Sequence, residues 1–195
     1  DPRQGPAKVR GGGQPLSGTL ASAVVTSAER EILLRRAVEL HQSGELGDAA
    51  TAYEQILAAF PDDPDALHLL GTLSERRGDV PRAIELIGRA LALCPDEPAY
   101  HCNLGWALRR AGDLEAARAT LRGALSLAPD APQALYYLGV IEQERGDLAE
   151  ARRCFARATR VADDFAEAWL RLAAVERRPG PYDDAVASSE RALAL

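Results

Sequence analysis

An all-α solenoid of stacked antiparallel helix pairs is the fold that this sequence predicts, on three observations. Small residues recur every 34 positions at Ala37, Gly71, Gly105, Gly139 and Ala173. They are followed at constant offsets by Gly44, Gly78, Gly112, Gly146 and Gly180, then by Ala49, Ala83, Ala117, Ala151 and Ala185. A fixed period of this length marks repeated supersecondary units that bury their apolar faces against one another. Between these rows the apolar residues fall at i, i+3, i+4 and i+7. Leu104, Gly105 and Leu108 form one such face and Ala117, Leu121, Ala124 and Leu125 the next, which is helical spacing. Aromatic residues make up only 5% of the 195-residue chain, so Ala and Leu must close the core on tightly apposed helices rather than in a sandwich or barrel.

Along the chain, residues 1–15 hold Gly and Pro with Lys8 and Arg10, a composition that buries too little to order itself and reads as a flexible tail. Residues 16–29 carry Leu16, Leu20, Ala23 and Val24 at helical spacing and are expected to form a short capping helix over the first repeat. Five units follow, at 30–63, 64–97, 98–131, 132–165 and 166–195. Each opens with a helix of about 13 residues, turns at its second-row Gly, and continues into a second helix. The turns read Gly-Asp-Val, Gly-Asp-Leu or Gly-Glu-Leu in the first four units: Gly suits the left-handed residue that ends the first helix, and the acid meets the free N–H groups of the second. Pro61, Pro95 and Pro129 are expected to stop the second helices, and Pro64, Pro98 and Pro132 to open the next first helices, where no amide donor is needed. In the fifth unit Pro179 and Pro181 flank Gly180, so the first helix ends near Arg178. Ser188 and Ser189 then give the last helix a polar face, suited either to a terminal cap or to a chain continuing past Leu195.

The net charge of −6 and a pI near 5.2 argue against general affinity for nucleic acid or an anionic membrane. No apolar run reaches the roughly 18 residues needed to cross a bilayer. Cys94, Cys102 and Cys154 form neither a C-x-x-C pair nor an even set and read as free thiols, which points to a cytoplasmic protein.

The ordered positions of the unit resemble the tetratricopeptide repeat, a 34-residue helix-turn-helix. The third unit carries the resemblance with Leu104, Gly105, Gly112, Ala117, Leu121, Ala124 and Pro129. The second does so with Leu67, Leu70, Gly71, Gly78, Ala83, Ile87, Ala90 and Pro95, and the fourth with Leu138, Gly139, Gly146, Ala151, Phe155 and Ala158. The fourth has Asp163 where Pro is usual, and the first departs at Arg36 and Ala37. The resemblance implies a right-handed superhelix whose first helices line a concave groove that binds peptides or protein segments.

Carrying the family's concave positions onto this chain points to His68, Asn103, Trp106, Arg109, Arg110, Tyr136, Tyr137, Arg171 and Arg177 as binding residues. Trp106, Tyr136 and Tyr137 are expected to form a shelf for an apolar anchor; the alternative for each ring is that it fills a gap between helices. The arginines would favour a segment carrying carboxylates. The chaperone-binding members hold a terminal carboxylate, and here Asn103 fits one of their positions while His68, Thr72, Gln133 and Tyr137 depart from the others. The asparagine ladder of glycosyltransferase arrays is likewise represented by Asn103 alone.

His41, His68 and His101 lie on different units without metal spacing, and His101 reads as a core residue. No phosphate-binding glycine motif and no paired carboxylates in a closed cleft are present, so no cofactor, no metal and no catalytic residue are expected. The resulting expectation is a protein-interaction scaffold that binds a protein or peptide segment in its groove. The alternative is the substrate-recruiting, non-catalytic array of a larger transferase or hydroxylase. Self-association through the solenoid ends or the segment Leu16 to Val25 is a third option.

Overall fold

The computed structural model describes residues 26–177, 189 and 191–194. The expected tail at 1–15, most of the expected capping helix at 16–29, and the fifth unit's turn and Ala185 lie outside the described residues. Among those described the chain is helical without strands: α1 (Ser27–Ser43), α2 (Leu46–Ala59), α3 (Pro64–Arg76), α4 (Val80–Leu93), α5 (Pro98–Arg110), α6 (Leu114–Leu127), α7 (Pro132–Glu144), α8 (Leu148–Val161) and α9 (Ala166–Glu176).

Helix α1 starts three residues ahead of Arg30 and runs 17 residues against 13 in α3, α5 and α7. Its start is a capping box in the sequence Thr26-Ser27-Ala28-Glu29. The Glu29 amide donates to Thr26 Oγ1 at 3.3 Å while the Thr26 amide donates to Glu29 Oε2 at 2.8 Å. This Thr-x-x-Glu signal is legible in the sequence and moves residues 27–29 from the expected capping segment into the first repeat's helix.

The turns follow from backbone chemistry. Gly44, Gly78, Gly112 and Gly146 take φ between 86° and 89°, the left-handed region where a Cβ is strained. Asp79, Asp113 and Asp147 then accept from the amides of Arg82, Ala116 and Glu150. In the first turn Glu45, longer by a methylene, makes no cap bond and instead accepts from Ser43 Oγ at 2.9 Å. Helices α2, α4 and α6 end one residue before Phe60, Cys94 and Ala128, with Pro61, Pro95 and Pro129 next in sequence. Helix α8 ends in the same register although Asp163 replaces the proline: Ala162, at φ −131° and ψ 95°, leaves the helix much as Phe60 does at φ −130° and ψ 80°. Proline therefore reinforces this stop and does not create it.

Helices α3, α5 and α7 cross their second helices where the first-row glycine meets the third-row alanine. A Cβ on Gly71 would lie 2.5 Å from Ile87 Cγ1 and 3.3 Å from the Ala83 carbonyl oxygen; one on Gly105 would lie 2.7 Å from Leu121 Cγ. Ala83, Ala117 and Ala151 are completely buried at these crossings. Gly139→Ala is accordingly expected to destabilise by about 1 kcal/mol, since overpacking against Phe155 outweighs the gain in helix propensity. Gly88→Ala, in open space within α4, should stabilise by about 0.5–1 kcal/mol. Urea titrations followed by circular dichroism would check both signs.

Helices contact their sequence neighbours throughout, so the array is quasi-one-dimensional. The first helices α3, α5 and α7 also touch one another directly, more than any second helices do. The stack is therefore bent toward the first helices, which places them on the concave side. Cys94, Cys102 and Cys154 are free thiols, Cys102 and Cys154 buried. His101 is half-buried rather than a full core residue: its Nε2 lies 2.8 Å from the Pro95 carbonyl oxygen and its ring rests over Gly123.

Candidate functional site

On the concave side α3, α5 and α7 enclose a cleft of about 350 Å³. Position along each first helix decides what reaches it. His68 and Thr72 come from α3, Asn103 and Trp106 from α5, and Tyr137 from α7. Trp106 and Tyr137 stack with ring centroids 4.3 Å apart at 21°. Both rings are half-buried, so one surface of the pair is held by the protein and part remains open. The Arg109 guanidinium carbon stands 4.4 Å from the centre of the Trp106 ring, a cation–π contact that stiffens the shelf.

Tyr136 behaves differently from its neighbour. Its ring sits 5.9 Å from Phe155 and 5.0 Å from Phe165, within the apolar clusters that join the fourth unit to α9. Successive residues on a helix point about 100° apart, so two adjacent tyrosines cannot share one flat shelf. Tyr136 fills the gap between helices and Tyr137 meets the groove.

His68 and Asn103 are brought together: Asn103 Nδ2 lies 2.7 Å from His68 Nε2, which makes the amide the donor and the unprotonated ring nitrogen the acceptor. The Tyr100 ring lies against His68 at 4.4 Å, and its hydroxyl donates to Asp65 at 3.3 Å. Burial pushes the His68 imidazole from 6.5 down to about 4, against the opposing pull of Asp65 and Glu97. Between those values the unfolded chain binds a proton that the folded chain refuses. The contribution of His68 to stability is thus level above pH 6.5 and falls as pH drops toward 4. Replacing His68 with Gln should remove about 2 kcal/mol of that acid sensitivity, read as the difference between wild-type and variant urea midpoints at pH 7 and pH 4.5.

Arg109 and Arg110 reach the concave face but are already engaged. Arg109 Nε donates to Glu144 Oε1 at 2.9 Å, and Arg110 Nη1 donates to the Glu75 carboxylate at 2.7 Å and to its carbonyl oxygen at 2.8 Å. These pairs link neighbouring first helices at a spacing of 35 residues, as do His68 with Asn103 and Asp65 with Tyr100. The sequence carries this signal as opposite charges one repeat plus one residue apart, and reading each helix separately misses it. Arg171 and Arg177 are exposed at α9 and do not join the cleft. Leu69, Glu75 and Arg76 of α3 and Ile87 of α4 complete the lining of the cleft.

Cys102 is buried, and desolvation raises its thiol to about 11, which keeps it protonated and unreactive at neutral pH. Among the described residues no three His, Cys, Asp or Glu side chains gather as a metal ion would require, and no helix is long and apolar enough to cross a membrane.

The family model described as tetratricopeptide repeat matches residues 34–98, 102–152 and 142–195. Among solved structures, the chain is 23% identical to MamA over 81% of this chain and 92% of that one, with a TM-score of 0.70. It is 26% identical to TTC0263, a thermophilic TPR protein of Thermus thermophilus, over 85% and 90% of the two chains, with a TM-score of 0.72. YrrB, described as a TPR protein with an unusual peptide-binding site, is 20% identical over 83% and 84%, with a TM-score of 0.63. No curated protein matches the chain.

Proposed function

Because the chain belongs to the tetratricopeptide repeat family, we propose that it is an interaction scaffold that holds a segment of a protein partner in the groove lined by α3, α5 and α7. The observation that carries this reading is the stacked Trp106–Tyr137 pair standing half-open on a cleft of about 350 Å³. Large amphipathic rings locked in place by packing contribute contact area at little entropic cost, which is what recurrent binding hot spots use. The peptide-binding site described for YrrB on the same fold supports a segment as the occupant. Binding is non-covalent and cofactor-free on this reading, and the chain acts as a scaffold rather than a catalyst. Its three free cysteines suit a reducing compartment such as the cytoplasm.

A displayed-peptide library selected on the purified chain tests the reading. Enriched peptides should bind the wild type and lose about tenfold or more in affinity for the Trp106→Ala, Tyr137→Ala double variant, as expected for loss of a hot-spot pair. Tyr136→Ala should instead lower stability, since its ring serves the core. Peptides that bind the double variant as tightly as the wild type would overturn the groove assignment.

A further inference from the structure

The charges lining the groove are unequally shared between the protein and any occupant. Glu75, Arg76, Arg109, Arg110 and Glu144 face the concave side on α3, α5 and α7. Arg110 is held twice by Glu75, through its carboxylate and its carbonyl oxygen. Arg109 is held by Glu144 and by the face of Trp106. Arg76 is exposed, lines the same cleft as Trp106 and Tyr137, and its side chain makes no ion pair or hydrogen bond with any described residue.

The register of the solenoid explains the difference. The concave pairs join a residue to the one 35 positions later, as in Glu75 with Arg110 and Arg109 with Glu144. The same step from Arg76 lands on Ala111, which offers no carboxylate. Nor is the charge of Arg76 quenched from the first repeat: it acts on His41 of α1, adding to the burial that lowers that imidazole's pKa. The neighbouring polar groups are occupied too. Thr72 Oγ1 donates to the Leu69 carbonyl oxygen at 2.8 Å, and the Asn103 amide is engaged with His68.

We infer that the segment bound in this groove carries a side-chain carboxylate that pairs with Arg76, placed on the first-repeat side of the residue that rests on Trp106 and Tyr137. This rests on the groove reading above and names the chemistry of its occupant. A carboxylate aimed at Arg109 or Arg110 meets a guanidinium whose charge Glu144 or Glu75 already offsets, whereas one aimed at Arg76 pairs with a charge that no described carboxylate neutralises. The groove therefore selects an acid on one side of the apolar anchor, not an acidic segment in general.

The test uses peptides from the displayed library, synthesised with acetylated and amidated ends so that side chains supply the only carboxylates. The selected set should share an Asp or Glu at a constant distance from a large apolar residue. Exchanging that acid for its amide should weaken binding to the wild type about tenfold by fluorescence anisotropy. The Arg76→Gln protein should bind acid and amide peptides equally, while the Arg171→Gln protein, whose exposed arginine lies outside the cleft, keeps the tenfold discrimination. Arg76 is exposed, and an unchanged thermal melt would confirm that its replacement leaves the fold intact. Equal wild-type affinity for acid and amide peptides overturns the inference, as does discrimination that survives in Arg76→Gln. Peptides that need Trp106 and Tyr137 but ignore the acid would refute the Arg76 assignment alone. Peptides indifferent to the aromatic pair would refute the groove reading as well.

Discussion

Phe155→Ala is expected to cost about 4 kcal/mol, among the largest losses available in this chain. The ring is completely buried where α7 crosses α8, in the space left by the missing side chain of Gly139. A Cβ there would stand 2.6 Å from Phe155 Cε1. The same ring joins the apolar cluster that holds Leu172 and Val175 of α9, with Trp169 packed against it. Truncation therefore opens a cavity under both the fourth hairpin and its junction with the fifth unit. Phe155→Leu installs the residue found in the same register at Leu121 and should cost about 1 kcal/mol, because most of the volume is kept. Each unit contacts mainly its neighbours, so the loss should be local. Hydrogen exchange should show α8 and α9 losing protection while α1 to α4 keep theirs. Uniform loss along the chain would contradict the quasi-one-dimensional account.

Arg118→Ala should cost about 3 kcal/mol, for an electrostatic reason. Glu142 near the end of α7 is completely buried, yet in sequence it looks like one more solvated helix-end charge. Arg118 Nε reaches across from α6 to Glu142 Oε1 at 2.6 Å, and Arg145 Nη1 meets Oε2 at 2.6 Å. Removing Arg118 takes the close partner from Oε1 of a carboxylate held out of water, leaving that oxygen only Arg122 at 3.9 Å while Arg145 stays on Oε2. The first and third units place Leu40 and Leu108 at the equivalent position, so Glu142→Leu should be close to neutral. The double variant should then recover most of what Arg118→Ala alone loses. A double-mutant cycle by urea unfolding measures this directly, and additive losses would show that the two groups are not coupled. One unit later the arrangement recurs with Arg152 Nε 3.5 Å from Glu176 Oε1, which makes it a device for fastening a second helix to the next first helix.

The fold was legible because its determinants are local and repeated. Glycine at a left-handed turn, aspartate after it and proline at a helix start each act within a few residues, and the period multiplies a weak signal until it cannot be mistaken. Where a signal occurred once it was easier to miss, as with the Thr26-to-Glu29 capping box that sets the true start of α1. The candidate site was legible in part. Trp106, Tyr137, His68 and Asn103 do converge on one cleft. Tyr136 turns into the core instead, and Arg109 and Arg110 are held by Glu144 and Glu75. No composition rule separates Tyr136 from Tyr137, since adjacent residues of the same type differ only in which neighbour their helix face meets.

By itself the sequence determined the all-helical architecture, the 34-residue unit and the turns. These follow from backbone conformation and from apolar periodicity, both properties of a short stretch of chain. The tertiary structure alone decided the pairing between units: which charges neutralise one another, which ring lines the cleft and which packs between helices, and that Arg76 has no charged partner among the described residues. Those outcomes depend on the offset with which one first helix lies beside the next, and that offset is set by how whole hairpins pack together, glycine against alanine and ring against glycine, rather than by any residue's own preference.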